Sequence, residues 1–173
     1  MAVAQPGWLW GPWCRDGAWA AAATFVVDQA HKWWMLKVVG VKEGVRTAVT
    51  SFLDIIYVRN TGISYSLFDQ KTMSGQYVLA GFAVLASLAL WVWMARGGGS
   101  RLLAVSLGLI IGGALANALD RVLLGGVADF FSLHAFGFYW YIFNIADVAI
   151  VAGVLGLLYD SYGSSRKDAA NDV

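Results

Sequence analysis

Long apolar stretches alternate with shorter polar ones along the chain, and this pattern predicts four membrane-spanning helices. The predicted spans are residues 17–36, 77–95, 101–119 and 138–159. Each is close to the about 20 residues that a helix needs to cross the hydrocarbon core of a bilayer. The first is the least regular, because Asp28, His31 and Lys32 interrupt its second half. The pattern predicts a single integral membrane domain over residues 1–173 with an all-α core.

A different pattern occupies the connection between the first two predicted spans. Residues 45–58 are rich in β-branched and aromatic side chains that partly alternate with polar ones, which favours strands. Asn60-Thr61-Gly62 is a turn signal, and residues 64–68 are a candidate for a further strand. We therefore expect a small β-sheet over about residues 40–70. The alternative is an ordinary hairpin turn at Asn60-Thr61-Gly62, which spacing alone favours.

Composition agrees with a membrane protein. Hydrophobic residues make up 59% of the 173 residues and charged residues only 13%, with a mean hydropathy of +0.62. A charged share of roughly 25% is usual in soluble domains. The net charge is +1 and the basic residues are scattered, so we expect no nucleic-acid partner. Because Cys14 is the only cysteine and the two histidines lie far apart in the sequence, we expect no metal or other cofactor.

The short connection between the second and third spans predicts the orientation. Residues 96–101 are basic and contain no acid, and such connections face the cytoplasm. With four spans, both termini then lie in the cytoplasm, and the connections 37–76 and 120–137 lie outside. The five basic residues of connection 37–76 argue the other way, but acidic residues are interspersed among them.

Polar residues gather at the predicted outer ends of the third and fourth spans. Small residues recur at every fourth position on both spans, as at Gly108 and Gly112, which predicts that these two helices pack together. The polar residues at their ends are Asn117, Asp120, Arg121, Asn144 and Asp147. Polar and ionisable groups at membrane depth are costly, so a cluster of them indicates a functional site.

Two acids in this region are candidates for chemistry. Asp129 and Asp147 have no adjacent basic residue, whereas Asp120 adjoins Arg121, which would hold it ionised as a structural partner. If folding brings Asp129 and Asp147 together, they would share one proton near neutral pH. The ionised member could then activate water while the protonated member polarises a peptide carbonyl.

Five segments of the chain resemble the sequence motifs of one known family. They are residues 28–32, 60–67, 112–121, 127–130 and 143–147. In order and spacing, the chain resembles the bacterial lipoprotein signal peptidases, also called signal peptidase II, which are aspartic proteases of the cytoplasmic membrane. The resemblance implies a membrane all-α core of four transmembrane helices, with the small extracytoplasmic β-sheet between helices 1 and 2 and the active site on the outer side.

The resemblance also implies roles for individual residues. Asp129 and Asp147 would be the catalytic pair. Asn60, Asn117, Arg121 and Asn144 would bind the substrate, and Asp28, Lys32, Gly62 and Asp120 would support the site. The i, i+4 spacing of Asp28 and Lys32 predicts an ion pair on one helix, which could equally serve helix stability alone.

The same resemblance implies the partners. They are a prolipoprotein whose cysteine already carries a diacylglyceryl group, membrane lipids, and an inhibitor of the globomycin type. The oligomeric state stays open, with a monomer as the expectation. Two other interpretations fit the membrane acids: a small proton-coupled transporter, and a non-catalytic scaffold whose polar residues only join helices. A transporter is disfavoured because the sequence shows no inverted repeat.

Overall fold

The computed structural model describes residues 9–62, 70–97 and 99–171, and these form four α-helices and one four-stranded sheet. The helices are α1 (Cys14–Trp33), α2 (Met73–Arg96), α3 (Arg101–Leu124) and α4 (Ile145–Asn171). A π-helical segment, Trp34–Val39, continues α1. The strands are β1 (Arg46–Ala48), β2 (Leu53–Asn60), β3 (Val127–Ala135) and β4 (Phe138–Phe143).

Side-chain caps and a glycine set the ends of the two central helices. Thr72 precedes α2 and its hydroxyl accepts a hydrogen bond from the Gly75 N–H, while Ser100 does the same for α3 through the Leu103 N–H. These bonds satisfy amide groups that have no partner within the helix. Gly125 ends α3 with φ +71°, a left-handed conformation that glycine adopts without steric cost. The chain can therefore turn directly from α3 into β3.

Three of the helices within the described ranges are long and apolar enough to cross a membrane. They are Met73–Arg96, Arg101–Leu124 and the Ile145–Tyr162 part of α4, with mean hydropathies of 2.1, 2.1 and 1.5. The protein is thus an integral membrane protein. Helix α1 does not join this group, because charged residues interrupt it. Its Asp28 and Lys32 are buried within the protein. A membrane span through α1, the first of the four predicted spans, therefore remains a prediction.

The predicted fourth span began too early. Residues 138–143 form strand β4, which pairs with β3, and the helix begins only at Ile145. The run from Phe138 to Phe143 is apolar throughout, and apolarity by itself does not distinguish a helix from a strand. Its content of aromatic residues favours a strand, and Asn144 then separates β4 from α4.

The sheet has the order β1-β2-β3-β4, with every neighbouring pair antiparallel. The predicted strands between helices 1 and 2 are confirmed as β1 and β2. The prediction missed that β3 and β4, from the connection between α3 and α4, complete the same sheet, so placing the sheet between helices 1 and 2 alone was wrong. The candidate strand at residues 64–68 lies outside the described residues.

Helix α3 is at the centre of the bundle and packs against the other three helices. The small residues permit close backbone approach, as predicted, but they serve two different neighbours. Gly108 and Gly112 face the backbone of α1, which corrects the prediction that they face α4. Contact between α3 and α4 is confirmed at Gly113, where an added Cβ would lie 2.6 Å from the Ala146 carbonyl oxygen, and at Gly153. This packing brings the carboxyl-terminal end of α3 beside the first turn of α4.

Candidate active site

A cleft of about 550 Å³ opens where α2, α3 and α4 meet the sheet. Polar and apolar residues both line it, and we call the apolar part of the lining the apolar wall. The polar residues are Asn60, Asn117, Arg121, Asp129 and Asp147, and the apolar ones include Leu79, Phe82, Ile150 and Val151. The fold therefore brings together residues that lie far apart in the sequence, including both predicted acids.

Asp129 lies on β3, opposite Val58 of β2, and is 2% exposed. Its two carboxyl oxygens accept hydrogen bonds from different asparagines, one from Asn60 Nδ2 at 3.1 Å and the other from Asn144 Nδ2 at 2.7 Å. Burial raises the pKa of Asp129 to about 7, and the nearby charge of Asp147 adds to the effect, while the two asparagine hydrogen bonds oppose it. Near neutral pH this carboxyl is thus poised between its two protonation states.

Asp147 occupies the first turn of α4, where it forms a reciprocal cap with Asn144. The Asn144 Oδ1 accepts from the Asp147 N–H at 3.0 Å, and Asp147 Oδ2 accepts from the Asn144 N–H at 3.2 Å. This is the capping-box arrangement, with asparagine and aspartate in the two positions. The other oxygen, Oδ1, accepts from Asn117 Nδ2 at 2.9 Å. The helix start and α3 together fix the orientation of the Asp147 carboxyl group.

Asn144 connects the two acids directly. It is fully buried, and its Nδ2 donates both to Asp129 Oδ1 and, at 3.1 Å, to Asn117 Oδ1. Its Oδ1 caps the turn that carries Asp147. All the hydrogen-bonding atoms of this side chain are therefore committed to residues of the site, so the separation of the two carboxyl groups depends on it.

A buried lysine organises the supporting residues. The Lys32 Nζ lies 2.7 Å from Asp28 Oδ2, 2.6 Å from Asp120 Oδ2 and 3.0 Å from Asn117 Oδ1. The two carboxylate contacts are ion pairs, and the contact with Asn117 is a hydrogen bond. The predicted ion pair between Asp28 and Lys32 is confirmed. It also extends to Asp120, whose expected ion-pair partner was Arg121, a prediction that the structure corrects.

The two acids of this cluster also tie the backbone of the site together. Asp28 Oδ1 accepts from the Ala146 N–H at 2.9 Å, in the first turn of α4. Asp120 accepts from the Ala128 N–H at 3.1 Å, immediately before Asp129, and from Gln29 Nε2 at 2.9 Å. Each supporting carboxylate thus contacts the backbone next to one of the two predicted catalytic residues.

Arg121 and Gly62 meet in the same polar part of the cleft as Asp129. Arg121 is 8% exposed, and its Nη2 donates to the Gly62 carbonyl at 2.8 Å, while the Gly62 N–H donates to Asn60 Oδ1 at 3.0 Å. The Arg121 Nη1 is buried and has no hydrogen-bond partner among the described residues. This arginine, which lines the cleft, therefore has one donor without a partner among the described residues.

Two glutamines of the site region had no recognisable signal in the sequence. Gln29 donates to Asp120 and to the Ala116 carbonyl, and Gln76 bonds two backbone carbonyls near Asn60. Gln76 belongs to no charged pair or spaced motif, and Gln29 lies in the segment 28–32, where only Asp28 and Lys32 were assigned roles. In the described part of the chain, no group of three or more His, Cys, Asp or Glu side chains is placed to hold a metal ion.

Comparison with known proteins identifies the family. The family model described as signal peptidase (SPase) II matches residues 20–163. The chain belongs to the signal peptidase II family. A lipoprotein signal peptidase from Methylocella silvestris is 49% identical over 152 residues, which cover 87% of each protein. Another from Methylobacterium sp. is 50% identical over 155 residues, 89% of this chain and 93% of the relative.

Solved structures of similar fold agree with this membership. A bacterial membrane enzyme determined by the in meso method at 2.3 Å resolution is 27% identical, with a TM-score of 0.70 and 91% of both chains covered. A second such structure, at 1.9 Å, is 28% identical with a TM-score of 0.65 and covers 83% of this chain and 90% of the other. The predicted resemblance is confirmed, and membership of a peptidase family leaves the transporter interpretation without support.

Proposed function

We propose that this signal peptidase II is an aspartic endopeptidase that removes the signal peptide from diacylglyceryl-modified prolipoproteins, cutting before the lipid-modified cysteine. The observation that carries the proposal is the link between Asp129, Asn144 and Asp147 at the edge of an apolar cleft. A buried and a half-buried carboxyl group held by one asparagine have the chemistry to share a proton, and a shared proton supplies both an acid and a base.

In the first step, the ionised carboxyl takes a proton from a water molecule as the water oxygen attacks the peptide carbonyl carbon. The protonated carboxyl donates its proton to the carbonyl oxygen, which gives a tetrahedral intermediate. Asp129 is the more buried of the two, so we take Asp129 as the initial acid and Asp147 as the base. When the C–N bond breaks, the proton now on Asp147 goes to the leaving amine. Asp129 regains its proton from the collapsing intermediate.

The remaining cleft residues suit a peptide that is held at a membrane. Asn60 and Arg121 lie beside Asp129, and the free Nη1 of Arg121 could donate to a substrate carbonyl or to a lipid ester oxygen. The apolar wall contains Phe82, which is 70% exposed, and residues of α4. Acyl chains of the modified cysteine, or of membrane lipids, would pack on this wall. Nothing in this scheme needs a second copy of the chain, so we expect a monomer to be active.

We propose a four-helix topology with the active site on the outer side of the bacterial cytoplasmic membrane and both termini in the cytoplasm. The basic turn after α2 supports a cytoplasmic position for the start of α3. Asn117 lies 16 residues further along α3, about 24 Å away at the helical rise of about 1.5 Å per residue. That distance is most of the hydrocarbon thickness, which supports a position of the site near the outer side. Helix α1 packs along α3, which supports α1 as a further membrane helix.

The experiment is cleavage of a lipid-modified prolipoprotein by purified protein in detergent, with and without globomycin. We expect the wild-type protein to release the signal peptide, globomycin to block release, and both Asp129→Asn and Asp147→Asn to abolish it. Asp16→Asn is the matched control, since Asp16 pairs with the exposed Arg101 away from the cleft. Wild-type turnover in either folded cleft variant would remove that aspartate from the mechanism, and a wild-type protein without product would contradict the proposed activity.

A further inference from the structure

Gln76 is a buried residue in the first turn of α2 that joins two separate points of the backbone. It is 1% exposed. Its Nε2 donates to the Thr61 carbonyl at 2.7 Å and to the Gln70 carbonyl at 2.6 Å. The Gln70 N–H donates to the same Thr61 carbonyl at 3.1 Å. The chain that leaves β2 at Thr61 thus returns to the same place at Gln70. We call Thr61, Gln70 and Gln76 the loop neck.

The loop neck is closely packed. An added Cβ at Gly75 would lie 2.6 to 3.0 Å from side-chain atoms of Gln70, so the glycine makes the room in which Gln70 packs. The Gln76 Oε1 is buried and has no hydrogen-bond partner among the described residues. Burial of an unpaired acceptor costs free energy. It is tolerated here because the same carboxamide supplies two donors that a smaller or apolar side chain would lack.

Thr61 lies between two residues of the active site. On one side, Asn60 donates to Asp129 Oδ2 at 3.1 Å. On the other, the Gly62 carbonyl accepts from Arg121 Nη2 at 2.8 Å. A residue that fixes the Thr61 carbonyl therefore limits how far its two neighbours can move relative to the cleft. Displacement of catalytic groups by about 1 Å can cost on the order of 100-fold in rate.

We infer that Gln76 is a positioning residue for peptide cleavage: through the Thr61 carbonyl it holds Asn60 against Asp129 and Gly62 against Arg121. This rests on the proposed role of Asp129. Gln76 itself does not line the cleft, so its effect on the reaction passes through the backbone of the loop neck. A residue needed only for folding would stabilise the protein without changing how Asp129 titrates.

Two variants remove the Gln76 donors in different ways. Gln76→Met keeps a similar length and removes both hydrogen bonds, and Gln76→Glu keeps the shape but replaces the NH₂ group by an oxygen. Gln76→Met introduces no buried charge, so it should fold even if Gln76→Glu, whose carboxyl group would face the Thr61 and Gln70 carbonyl oxygens, does not. Ser87→Ala is the matched control. It removes a buried polar group of the same helix, whose hydroxyl donates only to the Ala83 carbonyl in the preceding turn.

We expect a fall of kcat/KM on the order of tenfold in both Gln76 variants, carried mainly by kcat, and no change in Ser87→Ala. The alkaline limb of the pH profile should also move to higher pH. The hydrogen bond from Asn60 lowers the pKa of Asp129, and a loosened Asn60 would let that pKa rise. The other groups that face Asp129 are Asn144 and Asp147 from α4 and its start, Arg121 from α3 and Lys32 from α1. None of them is altered in these variants.

A double-variant cycle with Asn60→Ala separates positioning from folding. If Gln76 acts partly through Asn60, the effect of Gln76→Glu on kcat/KM shrinks in the Asn60→Ala background. Wild-type kcat/KM and pH profile in a folded Gln76 variant would overturn the inference, as would full additivity in the cycle. The proposed function is tested separately by Asp129→Asn. An inactive Asp129→Asn beside a fully active Gln76→Glu would refute the positioning role alone.

Discussion

Replacing Asp129 by asparagine should change the pH dependence of stability in a defined direction. Burial, together with the charge of Asp147, raises the pKa of Asp129 from 3.8 to about 7. Between those pH values the folded protein holds a proton that the unfolded chain has released, so the free energy of unfolding falls as the pH rises. At about 1.4 kcal/mol per pH unit, the loss from this one group amounts to about 4 kcal/mol.

An asparagine at position 129 cannot ionise, so the variant should lack this loss. It introduces a constant penalty instead. Asp129 accepts one hydrogen bond on each oxygen, from Asn60 and from Asn144, whereas the amide nitrogen of an asparagine cannot accept either. One buried donor is left unpaired, at a cost of about 1 to 3 kcal/mol. We therefore expect Asp129→Asn to be less stable than the wild-type protein at low pH and more stable at high pH.

The assay is thermal unfolding in detergent, followed by tryptophan fluorescence from about pH 4 to about pH 8, the window in which the wild-type group titrates. The cleavage assay runs on the same preparations, and we expect no activity from Asp129→Asn at any pH. Asp16→Asn should follow the wild-type curve, because Asp16 lies outside the cleft. A stability difference between Asp129→Asn and wild type that does not vary with pH would refute the reasoning.

Four further substitutions test contacts inside the site and away from it. Lys32→Met should lower the free energy of unfolding by about 3 to 5 kcal/mol, because it leaves two buried carboxylates without their cation. Arg101→Met breaks an ion pair in which the arginine side chain is 69% exposed, and it should cost under about 1 kcal/mol. Chemical denaturation measures the loss of unfolding free energy in both variants, and similar losses would contradict this account. Asn144→Ala removes three side-chain hydrogen bonds and should cost about 2 to 4 kcal/mol and abolish cleavage; a fully active variant would show that the acids do not need this link. Cys14→Ala should retain full cleavage activity, since Cys14 is buried and bonds only the Gly11 N–H, and lost turnover in the folded variant would indicate a thiol role.

The sequence predicted the site better than it predicted the sheet. Asp28 and Lys32 stand four residues apart on a helix, and that local geometry is enough to predict their ion pair. The structure places Asp129 and Asp147 in one cleft, linked through Asn144, and the sequence indicated this because both acids belong to the region around one short connection. That the two acids share a proton stays a prediction. In both cases the sequence signal was short-range order in the chain or a strong chemical signal.

The errors arose where the long-range partner decides the outcome. The apolar run from Phe138 to Phe143 is continuous with the apolar residues of α4 and was therefore counted into the span 138–159, and only pairing with β3 makes it a strand. Asp120 was assigned to its sequence neighbour Arg121, whereas adjacent helical residues point in different directions and Lys32 of α1 reaches it instead. Gln76 carries no charge and no spacing signal, so its hydrogen bonds to the loop neck appear only in three dimensions.

The reciprocal cap at the start of α4 makes the two acids unequal targets for mutation. Asp129 projects from a strand whose pairing does not require its carboxyl group, so the strand can survive its loss. Asp147 uses one of its oxygens to begin its own helix, and a replacement that lacks an accepting oxygen therefore also frays the first turn of that helix. In relatives that have lost catalytic activity, we therefore expect Asp129 to be replaced first and Asp147 to be kept for its structural role at the start of α4.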